Sequence, residues 1–207
     1  MKKYKEFFKS IIIVMGTQAL VYFLLKYFIV DYNIMKSIMN FPFIKWFVYF
    51  YDTWYPFVFF TAFIIYKHDK EVYYSLIFTM IISAFMSHIT FLIYPTMVVR
   101  PEITVNNLTD FILYITYTSD TPAVNCLPSV HCLFCFILSY YVLKANNLKL
   151  KFKFLIVTYF ILIVLSTLFI WQHVIEDAIL ALIYAIISIL LVKALKPKLK
   201  KVLKFIF

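Results

Sequence analysis

The feature that most constrains this chain is a succession of apolar runs, each about as long as a bilayer is thick, separated by short polar segments. A helix crossing about 30 Å of hydrocarbon needs about 20 residues. Runs over residues 8–30, 46–66, 72–93, 130–143, 152–171 and 174–195 therefore predict six transmembrane helices. The fourth run is short, and crossing the bilayer with it requires a backward extension through Pro128. Composition agrees: 64% of the 207 residues are apolar or aromatic and 14% charged, against roughly 45–50% and 25% in soluble domains. Six spans leave no room for a soluble domain, so residues 1–207 read as one all-α, polytopic integral membrane domain.

Lysine and arginine set the expected orientation, because cytoplasmic segments carry their excess. Sixteen lysines fall on one side of the six-span arrangement, whereas Lys36, Lys45 and Arg100 fall on the other. Lys26 lies inside the first span near its outer end and can snorkel outward. Both termini are then cytoplasmic, and the long connection 94–127 is extracytoplasmic. Such a connection is more often functional than decorative. Residues 1–10 are basic and lead into an apolar stretch without a small-residue cleavage site, which predicts an uncleaved anchor. The tail 193–207 is basic and fits either anionic-lipid binding or simple cytoplasmic retention. A lysine-to-arginine ratio of nineteen to one points to an AT-rich genome, hence to a bacterial plasma membrane.

Several function classes are excluded. Gly16 is the single glycine, and glycine-rich nucleotide-binding loops need several. The net charge of +10 collects at span ends and tails, which suits membrane lipids rather than nucleic acid. Cys126, Cys132 and Cys135 form no even framework. Four scattered histidines offer no metal-ligand spacing, so neither metal nor cofactor is expected. No obligatory protein partner is implied.

The polar residues that remain gather at one predicted membrane face. Arg100 follows the third span in a Tyr94-to-Pro101 segment, Pro128-Ser129-Val130-His131 opens the fourth, and Ser166-Thr167 through Gln172-His173 to Asp177 bridges the last two. Ionisable groups in such surroundings mark functional sites. At a four-residue spacing His173 and Asp177 share a helix face, and Asp177 would fix the imidazole tautomer and raise the nucleophilicity of its other nitrogen. Glu176, three residues on, could also reach His173. His131 could protonate a leaving oxygen, and Arg100 offers a planar fork to phosphate. Ser129 and helix amino-terminal amides would add donors. Nucleophile, acid and anion clamp together suit phosphoryl transfer through a phosphohistidine.

These blocks resemble the type-2 phosphatidic acid phosphatase superfamily, whose motifs read K-x-x-x-x-x-x-R-P, P-S-G-H and S-R-x-x-x-x-x-H-x-x-x-D. The resemblance implies His173 as nucleophile, Asp177 as its partner, His131 as general acid, and Arg100, Ser129, Ser166 and Thr167 at the substrate phosphate, with no metal. It further implies a lipid phosphatase acting on a lipid phosphate or prenyl diphosphate. The alternatives are a lipid headgroup phosphotransferase and a non-catalytic lipid-binding member.

Three positions depart from the motifs: Ile93, Val130 and Thr167 stand where the family has Lys, Gly and Arg. The variant form is similar to the inositolphosphotransferase-like branch that includes inositol phosphorylceramide synthases, although Trp171 stands where that branch often has lysine. Two phosphate cations are thus missing, and Lys26, Lys36 and Lys45 are the candidates to replace them. A singly charged diester needs fewer cations than a doubly charged monoester. His88 and Asp52 remain open between pocket-lining and structural roles.

Overall fold

The computed structural model describes residues 4–29 and 31–206, the side chains only as far as Leu195. The elements are α1 (Lys5–Phe28), a short strand β1 (Asn33–Ile34), a 3₁₀ turn (Lys45–Phe47), α2 (Val48–Asp52), α3 (Trp54–His68), α4 (Lys70–Ile93), β2 (Thr96–Met97), α5 (Leu108–Ser119), α6 (Val130–Lys144), α7 (Leu150–Phe169) and α8 (Ile175–Ile206). Among the described residues five helical stretches are long and apolar enough to cross a membrane: Lys5–Phe28, Lys45–His68, Lys70–Ile93, Leu150–Phe169 and Ile175–Leu195. The lysines at positions 2 and 3 and the side chains of the basic tail beyond Leu195 lie outside the described residues.

Three features depart from the sequence expectation. The run 46–66 is not one continuous helix but breaks at Thr53. Pro56 has no N–H to offer the Asp52 carbonyl, and Thr53 Oγ1 turns back to the Phe50 carbonyl at 2.7 Å. Secondly, α6 does not extend back through Pro128: Ser129 caps it, its Oγ accepting from the Cys132 amide. At 15 residues and about 1.5 Å per residue, α6 spans about 22 Å. Thirdly, the connection 94–127 contains a helix, α5. Asn107 caps it by accepting from the Asp110 amide, and its apolar face packs Leu113 and Tyr117 with Phe47, Val48, Tyr51 and Ile170.

In lipid, apolar burial does not by itself hold helices together, so small residues and interhelical hydrogen bonds matter more. α8 packs against α4 and α6, turning Ala178, Ala181, Ala185 and Ser188 inward. α4 answers with buried Ser83, Ala84 and Ser87. Hydroxyl pairs lock the helices: Ser10 with Tyr73 at 2.6 Å joins α1 to α4, Thr79 with Tyr141 at 2.6 Å joins α4 to α6, and Thr90 with Tyr184 at 2.7 Å joins α4 to α8.

At one end of the bundle the connections knit into a cap. β1 and β2 pair in parallel, Asn33 opposite Thr96 and Ile34 opposite Met97, and Val98 N–H donates to the Ala123 carbonyl. Ile44 N–H reaches the Phe169 carbonyl, and Ser129 N–H the Asp177 carbonyl. The end of α1, the turn before α2, the end of α4, the start of α6 and the α7–α8 turn are thereby fixed together.

The small-residue seam makes a prediction. Ala181→Leu is expected to destabilise the bundle by about 1–3 kcal/mol through overpacking, whereas Leu182→Ala, at an outward position 44% exposed, leaves it nearly unchanged. Thermal unfolding of the two variants in detergent checks this.

Candidate active site

The α7–α8 turn positions the first histidine. α7 ends at Phe169, and the chain reverses within five residues. Trp171 adopts a left-handed backbone with φ of 51°, a conformation bulky residues seldom take. It is held by its amide on the Leu168 carbonyl and by its indole Nε1 on the Phe41 carbonyl at 3.0 Å. The amides of Gln172 and His173 both donate to the Thr167 carbonyl. His173 therefore sits where α8 begins, with Asp177 one turn on.

His173 Nδ1 lies 3.0 Å from Asp177 Oδ2, which also accepts from the Val174 amide at 3.1 Å. A carboxylate in this contact accepts the imidazole proton, so the tautomer presents Nε2 as the free lone pair. Asp177 is fully buried, and its Oδ1 has no hydrogen-bond partner among the described residues. Glu176 points elsewhere, accepting from the Ile38 amide at 2.6 Å.

His131 stands on the first turn of α6, its ring centroid 6.1 Å from that of His173. It stacks on Tyr51 at 4.6 Å and leans on Trp54 at 4.3 Å, whose indole Nε1 donates to the His131 carbonyl. Both histidines line a cavity of about 440 Å³. Met15, Ala19, Tyr22 and Phe23 of α1 form one wall, and Asp52, Asp120, Asn125, Cys126 and Gln172 contribute polar groups.

Arg100 is buried one layer behind this wall. Its Nη1 donates to Gln172 Oε1 at 2.8 Å, its Nη2 to the Asp120 carbonyl at 2.8 Å, and its guanidinium lies 4.7 Å from the Tyr117 ring centroid. The bond from Arg100 fixes the orientation of the Gln172 amide. Gln172 is 2% exposed, and its Nε2 has no partner among the described residues. That leaves an unused donor on the cavity wall next to His173. Neither Gln172 nor Asp120 stands out in the sequence; the one signal for Gln172 is its position beside His173.

The remaining expected residues are distributed unevenly. Asp52 lies on the cavity wall, bonded by Thr116. Ser129 Oγ caps α6, Ser166 Oγ donates to the Ile163 carbonyl, and Thr167 Oγ1 donates to the Val164 carbonyl. These three hydroxyls are buried and committed to helix backbone, so they are not among the groups lining the cavity. Of the three candidate lysines, Lys26 reaches the site, 3.7 Å from Asp120. Lys45 pairs instead with Asp110 at 2.8 Å, and Lys36 is exposed. His88 is away from the cavity, beside Phe91.

Cys126, His173 and Asp177 have donor atoms within 4.8 Å of one another, a set able to hold a divalent ion. Burial, reinforced by the Asp177 and Asp120 carboxylates, pushes the Cys126 thiol well above its ordinary range. A metal there would have to displace a firmly held proton, since the thiolate is the ligand.

A buried histidine–carboxylate pair and a second histidine thus meet at one cavity. A family model of the PAP2 superfamily matches residues 70–201, more than half of the chain. The chain belongs to the PAP2 superfamily. Comparisons with curated proteins and with solved structures give no match. Superfamily members are in general phosphatases or phosphotransferases. The matched stretch carries Arg100, His131, His173 and Asp177, whereas α1, with its cavity wall and Lys26, precedes it.

α5 supports the site through Tyr117 and Asp120, and Lys45 anchors it. The hydrogen bond from Lys45 holds the Asp110 carboxyl below its ordinary value of 3.8. A lowered carboxyl stabilises the fold above 3.8, and that contribution is lost as pH falls through the lowered value. Amide protection across Leu108–Ser119 is thus expected to persist down to the ordinary carboxyl range and fall below it. In Lys45→Gln the loss should begin at higher pH, which pH-dependent hydrogen exchange reads.

Proposed function

We propose that this protein is a membrane-embedded lipid phosphatase that cleaves a lipid phosphate ester or prenyl diphosphate through a phosphohistidine, without a metal. One observation carries the reading: His173 Nδ1 is held by a buried carboxylate at 3.0 Å while the His131 ring stands 6.1 Å away in the same cavity. His173 Nε2 attacks phosphorus and His131 protonates the departing oxygen. Water, its proton taken back by His131, then attacks the phosphohistidine and frees His173. Asp177 stabilises the charge that develops on the imidazole, as a buried acceptor does in other histidine-based catalysis. The unused Gln172 Nε2 supplies a donor to a phosphoryl oxygen.

The substrate chain lies along the apolar wall of α1, at Met15, Ala19 and Phe23. In this reading α6 completes six spans, both termini are cytoplasmic, and the cavity opens on the extracytoplasmic side of a bacterial plasma membrane. The lysine distribution supports that orientation.

A second reading replaces water by an alcohol and makes the enzyme a headgroup phosphotransferase of the inositolphosphotransferase-like kind. It is favoured by the engagement of Arg100 with Asp120 and Gln172, which leaves little uncompensated positive charge for a dianion.

The test is phosphate release by the purified protein, in detergent with a chelator, from phosphatidic acid and a prenyl diphosphate. Release should survive the chelator, disappear in His173→Ala, and fall by about 10²–10⁴-fold in His131→Ala, the usual range for a general acid. Loss of activity on chelation, or full activity in His173→Ala, would sink the proposal. Headgroup transfer to an alcohol in the absence of phosphate release would establish the second reading.

A further inference from the structure

Two cations meet one carboxylate at the edge of the cavity. Lys26 Nζ lies 3.7 Å from Asp120 Oδ1, and Arg100 Nη1 lies 3.8 Å from Asp120 Oδ2. The Tyr22 hydroxyl donates to Asp120 Oδ1 at 2.7 Å, which fixes the carboxylate from α1. The side chains of Lys26 and Arg100 are only 8% and 7% exposed, whereas that of Asp120 is 31% exposed, so the cations are shielded from solvent and the carboxylate only in part. Asp120 lines the cavity together with His131 and His173, whereas neither Lys26 nor Arg100 is among its lining residues. A phosphoryl group at the histidines would therefore face two positive charges through one negative charge.

From this arrangement we infer that Asp120 is a charge selector: its carboxylate offsets one of the two positive charges of Lys26 and Arg100 and so biases the phosphoryl subsite toward a singly charged phosphoryl group. Phosphodiester lipids carry that charge at every working pH, and phosphomonoesters carry it only when half-protonated. Gln172 fits the same logic, because its Nε2, without a partner among the described residues, offers a donor without adding charge. Asp52, on the cavity wall and bonded by Thr116, adds a further carboxylate that disfavours a dianion. Lys26 supplies the second cation that the sequence blocks lack, and it does so from a helix outside the matched family stretch. The inference rests on the phosphoryl-transfer reading for the position of the ligand, not for its own readout, and of the two forms of that reading it favours headgroup transfer on a phosphodiester.

Binding separates the two. Dimethyl phosphate, always a monoanion, and phenyl phosphate, a dianion at pH 8, are titrated into the full-length protein in detergent, with folding of each variant verified by thermal unfolding. Asp120→Asn should tighten phenyl phosphate relative to dimethyl phosphate by up to about tenfold, the scale of one partly screened charge. Lys26→Met should weaken phenyl phosphate more than dimethyl phosphate, and Lys26→Met/Asp120→Asn should return the wild-type ratio. An unchanged ratio in Asp120→Asn overturns the inference. If Asp120→Asn does not fold, an unchanged ratio in Lys26→Met overturns it alone. His173→Ala reports separately on turnover: activity that persists there sinks the catalytic reading, whereas activity that vanishes while the ratios stay fixed sinks only the charge selector.

Discussion

Burying one carboxylate organises the end of the bundle that holds the cavity. Removing an ionised carboxylate from water costs several kcal/mol unless hydrogen bonds replace the lost solvation. Asp177, fully buried, recovers part of it through the Val174 amide and the His173 imidazole. Its own backbone carbonyl receives the Ser129 amide, which joins the start of α8 to the cap of α6. The residue that orients one histidine thus also fixes the element carrying the other. The left-handed backbone at Trp171, which costs about 1–3 kcal/mol in a bulky residue, is part of the same arrangement. It lets the chain reverse tightly enough to set His173 at the head of α8.

The bundle beneath is held by means suited to lipid. Small residues on α4 and α8 bring the helices close, and tyrosine–hydroxyl pairs supply directional contacts between neighbours. Close approach of α4, α6 and α8 brings the ends that carry His131 and His173 to one cavity, with Arg100 bonded to its wall through Gln172. The cap of loops, with its two-strand ribbon and α5, then closes over that end. Arg100 illustrates the division of labour: packed on Tyr117 and bonded to Asp120 and Gln172, it orders the wall from behind instead of lining it.

Much of this was legible in the residues, and for identifiable reasons. Apolar runs located the long helices because a bilayer fixes a minimum length, and the four-residue spacing of His173 and Asp177 forecast their contact, although His173 lies in the turn two residues before α8 and not on a shared helix face. The break at Thr53 was legible in principle from Pro56. α5 was not foreseen, because a 12-residue helix in a moderately polar connection gives a weak signal beside spans twice its length. Ser129, Ser166 and Thr167 matched expected positions, yet their hydroxyls satisfy helix carbonyls and an end amide. A motif position specifies a residue, not which neighbour its hydroxyl bonds.

Sequence by itself determined the membrane character, the helical class and the local histidine–aspartate pair. All three depend on hydropathy and on spacings of a few residues along the chain. Tertiary structure decided which charges meet. Lys26 and Asp120 are 94 positions apart and Arg100 and Gln172 are 72 apart, and no periodicity links such residues. Lys45, equally eligible on sequence, was drawn to Asp110 instead. Charge pairing falls off within a few ångströms in three dimensions, so it is set by how α1 and the cap pack, which the order of residues does not state.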